Sequence, residues 1–293
     1  MKKIMITGVT GHLGGQVLRF LQQKADNHSL SVIARTPSKL DPDDIKGVNV
    51  VQADYDDKKS LVEAFRGIDR LYFVSGNDIH ARRKQHQHVV EAAKEAGVKH
   101  VVYTSFQRKT ETDDSPVTQI ADAHLLTEKL LKQSGLTYTI MKHALYSDVI
   151  PMFIGEDVFK KGMIYQPAGN GKVSFASRSD MAEAAAVILA SEGHENKIYE
   201  IAGTKSCSYH DIAKILSGIS GKQISYASPT AEEFRKTLQE AGVPDEAISM
   251  SVTFNEGIRQ GEFDFPDPTL EKLIGHKPQS VEEFLKSVYT NHD

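Results

Sequence analysis

The stretch KIMITGVTGHLGGQVLRFLQQ, residues 3–23, joins a short apolar run to a glycine-punctuated turn and then to a helix pattern. Leu13, Val17, Leu18 and Leu21 recur at helical spacing and fall on one face. A strand, a tight turn and an amphipathic helix in that order are the opening of a βαβ unit. The three glycines have separable uses. Gly8 permits the turn, Gly11 permits close backbone approach to a pyrophosphate, and Gly14 permits the helix to pack on the strand. The backbone of Gly8, Val9, Thr10, Gly11, His12, Leu13 and Gly14 would then cradle a dinucleotide's phosphates, with the free N–H groups of the helix start facing the anion. The bland alternative is three turn glycines in a loop that binds nothing.

Outward from this stretch the same rhythm continues. Strand patterns at 30–35 (LSVIAR), 48–54 (VNVVQAD), 70–76 (RLYFVSG), 99–105 (KHVVYTS) and 136–142 (LTYTIMK) alternate with helix patterns such as HVVEAAKEAG and ADAHLLTEKLLKQSG. Several strands are nearly continuous apolar runs, as strands covered on both faces are. Right-handed crossovers then give an α/β fold, a doubly wound, Rossmann-like parallel sheet. After Pro151 the rhythm changes. A loop AGNGK (168–172), a helix SDMAEAAAVILAS, a strand KIYEIAG (197–203) and a further strand QISYAS (223–228) precede mostly helical sequence. Capping boxes are expected at Ser208 with Asp211, Thr230 with Glu233 and Ser280 with Glu283. This places a nucleotide-binding domain at 1–150 and, at 151–293, a smaller mixed substrate-capping region that partly completes the first sheet.

Composition excludes several classes. With 40% hydrophobic and 25% charged residues the 293-residue chain reads as globular, and its net charge of −4 lacks the basic footprint of a nucleic-acid binder. The single cysteine, Cys207, forms no internal disulfide, no Cys/His spacing matches a metal site, and no stretch reads as a signal peptide or membrane span. A cytoplasmic location and no metal are the expectations. A homodimer is compatible with the sequence.

Strand two ends at Arg35, 21 positions beyond Gly14, where an NAD-selective site presents Asp or Glu to the ribose hydroxyl. A guanidinium there suits a 2′-phosphate, with Lys39 as added charge, so NADPH is the expected cofactor. A solvated strand-end arginine is the alternative. Asp54 at the end of strand three is placed near the adenine, and Ser75, Gly76 and Asn77 at the end of strand four run along the cofactor, since ligands collect at the carboxyl ends of such strands.

The reacting end is defined by an absence. Classical short-chain dehydrogenases hold a Tyr and a Lys one helical turn apart, so that the cation lowers the phenol's pKa. Tyr55 to Lys59 and Tyr138 to Lys142 match the spacing but not the context: the first follows strand three, and the second lies in a strand, where four residues span roughly 13 Å. The helix after strand five, where the pair belongs, carries His124 and Glu128 instead. His124 is the candidate acid, though a single helical histidine is more often a packing residue, and Ser105 is a candidate contact to cofactor or substrate.

GVTGHLGGQVL, VVQADYDDKKSLVEAFRGIDRLYFVS, VVEAAKEAGVKHVVYTS, HLLTEKLLKQSGLTYTIMKHALYSD, NKIYEIAG and LIGHKPQSVEEFL together resemble the NmrA-like atypical short-chain dehydrogenases, in particular their type-2 NAD(P)H:quinone oxidoreductases. The resemblance covers nearly the whole chain. It implies NADPH along the glycine loop, at Arg35, at Ser75 to Asn77, and at a segment after strand six comprising His143, Ala144, Leu145, Tyr146, Ser147 and Asp148. It also implies that the Tyr/Lys pair is dispensable. His143, Ala144 and Leu145 depart from the Asn, Gly and Trp of the relatives and bear on the nicotinamide side and on quinone selectivity. Tyr146 is retained and is expected to position the nicotinamide end.

Two functions follow. The leading one is direct hydride transfer from NADPH to a quinone or similar electrophilic carbonyl, whose reduced oxygen has the basicity of a phenolate, so that water can protonate it. The other is an NADP(H)-binding redox sensor that passes its state to a protein partner without turnover.

Overall fold

The computed structural model describes residues 2–24, 26–112, 114–155 and 157–290. In chain order the first half comprises β1 (Ile4–Ile6), α1 (His12–Gln22), β2 (Leu30–Ala34), β3 (Asn49–Gln52), α2 (Lys58–Phe65), β4 (Arg70–Phe73), α3 (Arg82–Ala96), β5 (His100–Phe106), α4 (Thr118–Ser134) and β6 (Thr137–His143). The second half comprises α5 (Ile150–Ile154), α6 (Val158–Lys161), β7 (Met163–Tyr165), β8 (Lys172–Val173), α7 (Arg178–Ala190), β9 (Lys197–Ile201), β10 (Cys207–Ser208), α8 (Tyr209–Ser220), β11 (Ser225–Ala227), α9 (Ala231–Glu240), α10 (Asp245–Arg259), α11 (Thr269–Ile274) and α12 (Val281–Tyr289).

Seven strands form one parallel sheet in the order β3-β2-β1-β4-β5-β6-β9. The chain winds outward from β1 in both directions, so a crevice opens at the carboxyl ends of β1 and β4. All four residues of β4 are buried, whereas β3 is an edge strand and half-exposed. One face is covered by α1, α7 and α11 over Ile6, Val32, Tyr72 and Met141. The other is covered by α2, α3 and α4 over Phe73, Tyr103 and Ile140. The helix pattern at 179–191 and the strand at 197–203 thus return from the second half of the chain to the first sheet.

The remainder is a lobe with its own apolar cluster around Ile164, Phe175, Ile212, Leu216 and Phe263. All three expected capping boxes are formed, each with the Ser or Thr hydroxyl accepting from the backbone N–H three residues on and the carboxylate accepting in return. Sequence patterning leaves out β7, β8 and β10, which pair as β11 with β7 and β10 with β8. Two or three residues are too few for alternation to be read. The lobe is laced to the sheet beyond β5: Glu262 accepts from the backbone N–H groups of Lys109 and Thr110 at 3.2 and 2.9 Å, and Gln107 Nε2 donates to the Phe265 carbonyl at 3.2 Å. Among the described residues no helix is long and apolar enough to cross a membrane.

Candidate active site

The three glycines of the first turn differ in what surrounds them. Gly8 has φ of +66°, and a Cβ on it would meet the Val74 side chain at 2.9 Å. A Cβ on Gly14 would lie 2.4 Å from the Gly8 carbonyl oxygen, so only glycine lets α1 approach β1 this closely. Gly11 is extended, with φ −97° and ψ 164°, and its missing Cβ would meet nothing within 4 Å but the Gly8 oxygen at 3.3 Å. It is the residue before the first turn of α1, and no side chain caps that helix. The helix start is therefore left open to an external acceptor.

Around this turn the carboxyl ends of the strands bring the other expected residues to one edge. Arg35 follows β2 and is exposed, its carbonyl accepting from Gln52 Nε2. Asp54 follows β3 and its carboxylate accepts from the Asp56 N–H at 3.0 Å, shaping the local turn. Tyr55 is no member of a Tyr/Lys pair. Its hydroxyl donates to the Val74 carbonyl at 2.9 Å and meets Thr7 Oγ1, tying the ends of β1 and β4 together, and burial pushes its pKa up. Past β4, the Ser75 N–H donates to Thr104 Oγ1 at 2.9 Å and the Gly76 N–H donates to His86 Nε2 at 3.1 Å, while Asn77 is exposed.

The segment after β6 runs from His143 to Asp148 and is pinned from both sides. The Ala144 N–H donates to the Ile201 carbonyl and the Ser147 N–H to the Ala176 carbonyl. Ala144 and Leu145 are buried, as is Ser147. The Arg178 guanidinium sits 4.6 Å over the Tyr146 ring and pairs with Asp148, which also accepts from the Arg178 N–H at 2.9 Å. Sequence reading did not single out Arg178, because nothing in the start of α7 marks it as facing this segment. Burial pushes the Tyr146 hydroxyl up to about 12. His143 is 3% exposed, neither ring nitrogen has a hydrogen-bond partner among the described residues, and burial holds its pKa down to about 3.

The place of the Tyr/Lys pair is filled by a closed polar network. Glu128 is buried and forms a two-pronged ion pair with Arg108, Nη1 to Oε1 at 3.0 Å and Nη2 to Oε2 at 3.1 Å. The Ser105 hydroxyl donates to the same carboxylate. The Ser105 hydroxyl, a candidate ligand contact, is thus buried and engaged by Glu128.

His124 is likewise buried. Its Nδ1 lies 2.8 Å from the Tyr103 hydroxyl, and its Nε2 lies 3.4 Å from Arg82 Nη1, which can only donate. Burial first, and then the Arg82 charge, hold its pKa well below the usual imidazole range. A ring held neutral in this way weighs against the expected acid role. Its neighbour His86 is also neutral, with its pKa held down to about 3 by burial. Its Nε2 accepts from Gly76, so Nδ1 carries the proton toward Thr127 Oγ1 at 2.7 Å.

Comparison with known proteins gives consistent matches. The NmrA-like family model matches residues 1–285. Quinone oxidoreductase 2 of Escherichia coli is 35% identical over 286 residues, covering 98% of each chain. The crystal structure of an NADPH-dependent quinone oxidoreductase from Escherichia coli complexed with NADPH superposes with a TM-score of 0.91 at 35% identity, over 98% of this chain and 99% of that one. The Citrobacter sp. triphenylmethane reductase complexed with NADP(H) gives a TM-score of 0.88 at 33% identity, over 97% of this chain and 99% of that one.

Proposed function

We propose that this chain, which belongs to the NmrA-like family, is an NADPH-dependent oxidoreductase that reduces quinones or similar electrophilic carbonyls directly. The supporting observation is the pairing of an open glycine cradle at α1 with a reacting end that holds no titrating acid. NADPH, when bound, supplies the two electrons as a hydride.

Gly11 leaves the approach to the helix N–H groups clear for the pyrophosphate, and the helix start favours its charge. Arg35 takes the 2′-phosphate, and Ser75 to Asn77 and His143 to Asp148 flank the remainder. Tyr146, held by Arg178, positions the nicotinamide end, and the lobe around Ile164, Ile212 and Phe263 covers the acceptor. Neither His124 nor Glu128 delivers a proton, because one is neutral and the other is locked to Arg108. Such a site cannot serve a simple ketone, whose alkoxide is far more basic than a phenolate. A quinone leaves an oxygen whose pKa is about 10, which water protonates.

Purified protein free of flavin, mixed with NADPH and a benzoquinone-type acceptor, is expected to oxidise NADPH with turnover. NADPH binding without turnover would replace this reading with a redox sensor. His124→Ala is expected to lower the rate less than about tenfold, below the 10²–10⁴ of a general acid, in steady-state assays. Arg35→Ala is expected to weaken NADPH by about 10- to 150-fold in a binding titration, the loss of one charge-assisted phosphate contact, while NADH affinity stays unchanged. Equal NADPH affinity in both proteins would remove Arg35 from the site.

A further inference from the structure

We propose that Arg82 is the anion-binding group at the acceptor end of this site, holding the oxygen that turns negative as a quinone is reduced. The inference rests on the function proposed above.

The observation behind it is a buried charge with no carboxylate in ion-pair contact. Arg82 opens α3 and is 8% exposed. Its Nε is buried with no hydrogen-bond partner, and its Nη1 reaches only His124 Nε2, at 3.4 Å. Among the described residues no carboxylate forms an ion pair with it; burial pushes its pKa down, against the weaker opposing effects of Tyr103 and the Asp78 carboxylate. The other buried arginines are treated differently. Arg70 donates to the carbonyls of Leu189 at 2.7 Å and Ile188 at 3.2 Å and pairs with Glu192 at 2.8 Å. Arg108 is clamped by Glu128 and Glu111. A purely structural guanidinium is held by a carboxylate in this way, even where one donor such as Arg108 Nε stays unpaired, because an unpaired buried ion is strongly unfavourable. Of these three buried arginines, Arg82 alone makes no ion pair among the described residues.

Its position fits a reacting oxygen. His124, against which it lies, is on α4, the helix that carries the Tyr/Lys pair in classical short-chain dehydrogenases. The Phe106 ring at the end of β5 lies 5.8 Å from His124, and one turn along α3 His86 accepts from Gly76 of the loop after β4. The guanidinium thus stands between that loop and α4, beside the end of β5.

The chemistry requires an electrostatic partner more than an acid. When a quinone takes a hydride from NADPH, one C–H or O–H bond forms on the quinone and a carbonyl π bond is broken. The displaced electron pair resides as negative charge on an oxygen, NADP⁺ is left, and water supplies the proton. A planar cation pre-set for an oxyanion lowers the energy of that charge without transferring a proton.

The test uses 4-nitrophenol bound to the wild-type protein with NADP⁺ present. Its phenolate mimics the reduced quinone, and its visible band reports ionisation directly. The bound phenol is expected to ionise at least about one pH unit below the free phenol, as an opposite charge nearby requires. Arg82→Gln is expected to remove the shift and weaken phenolate binding by about 10- to 150-fold. Arg83→Gln, which removes an exposed charge paired with Asp122, is expected to change neither. The wild-type shift is readable whether or not the glutamine variant folds. Should that variant fail to fold, Arg82→Lys is expected to keep the shift but bind phenolate more weakly, and unaltered affinity would overturn the assignment. A wild type that reduces quinones without shifting the phenol, or an Arg82→Gln protein that keeps the shift, overturns it as well. Neither turnover nor phenol binding by the wild type would overturn the functional reading along with it.

Discussion

Replacing Gly11 by valine is expected to abolish nucleotide binding while leaving the fold in place. The backbone at Gly11 is extended, a conformation valine adopts readily, and its Cβ would touch only the Gly8 oxygen at 3.3 Å. The branched side chain then fills the space in front of α1, where the pyrophosphate must come within hydrogen-bond reach of the backbone. Gly14→Ala provides the contrast. Its Cβ would enter the Gly8 carbonyl at 2.4 Å, so α1 must move off β1 and folding itself is damaged. Circular dichroism with an NADPH titration separates the two. A Gly11→Val protein that binds NADPH like the wild type would contradict the phosphate-loop assignment.

The second large effect is expected at Glu128. Removing one member of a buried ion pair strands the other, at a cost of about 3–5 kcal/mol. Glu128→Ala leaves the fully buried Arg108 side chain with the Phe106 carbonyl at 2.8 Å and the half-exposed Glu111, which is itself shared with Lys142. That residual pairing places the loss toward the lower end of the range. Urea unfolding with an unchanged m-value is the measurement. The double variant Arg108→Met/Glu128→Leu is expected to recover much of the loss, because apolar side chains of similar size need no partners. A Glu128→Ala protein destabilised by less than about 1 kcal/mol would mean that the pair is not closed as described.

The sheet was legible because its strands are long apolar runs separated by amphipathic helices, and the first turn because each glycine has a conformational or steric reason to be there. The interior of the site was not. Glu128 and His124 sit at the correct helical positions, but their partners Arg108, Tyr103 and Arg82 come from a loop, a strand and another helix, and no local pattern links them. The Glu128 partner of Ser105 was hidden for the same reason, since nothing at a strand end signals the buried carboxylate beside it. Arg178 meets Tyr146 only because β9 and α7 return to the first sheet, a long-range arrangement that sequence spacing does not encode.

The central claim is that reduction here proceeds without a titrating acid from the protein. Its most direct test is the pH dependence of kcat/KM for NADPH-driven quinone reduction. His86 and His143 are held down to about 3, His124 is held well below the usual range, and Tyr146 is pushed up to about 12. Each lowered imidazole is neutral throughout the neutral range and gains its proton only in strong acid, while the raised phenol stays protonated. The profile is therefore expected to be flat between about pH 5 and pH 9, with no inflection near a free imidazole's pKa of about 6.5. A bell-shaped profile, or a fall in rate as the pH rises through that value, would show a protein acid at work and contradict the account.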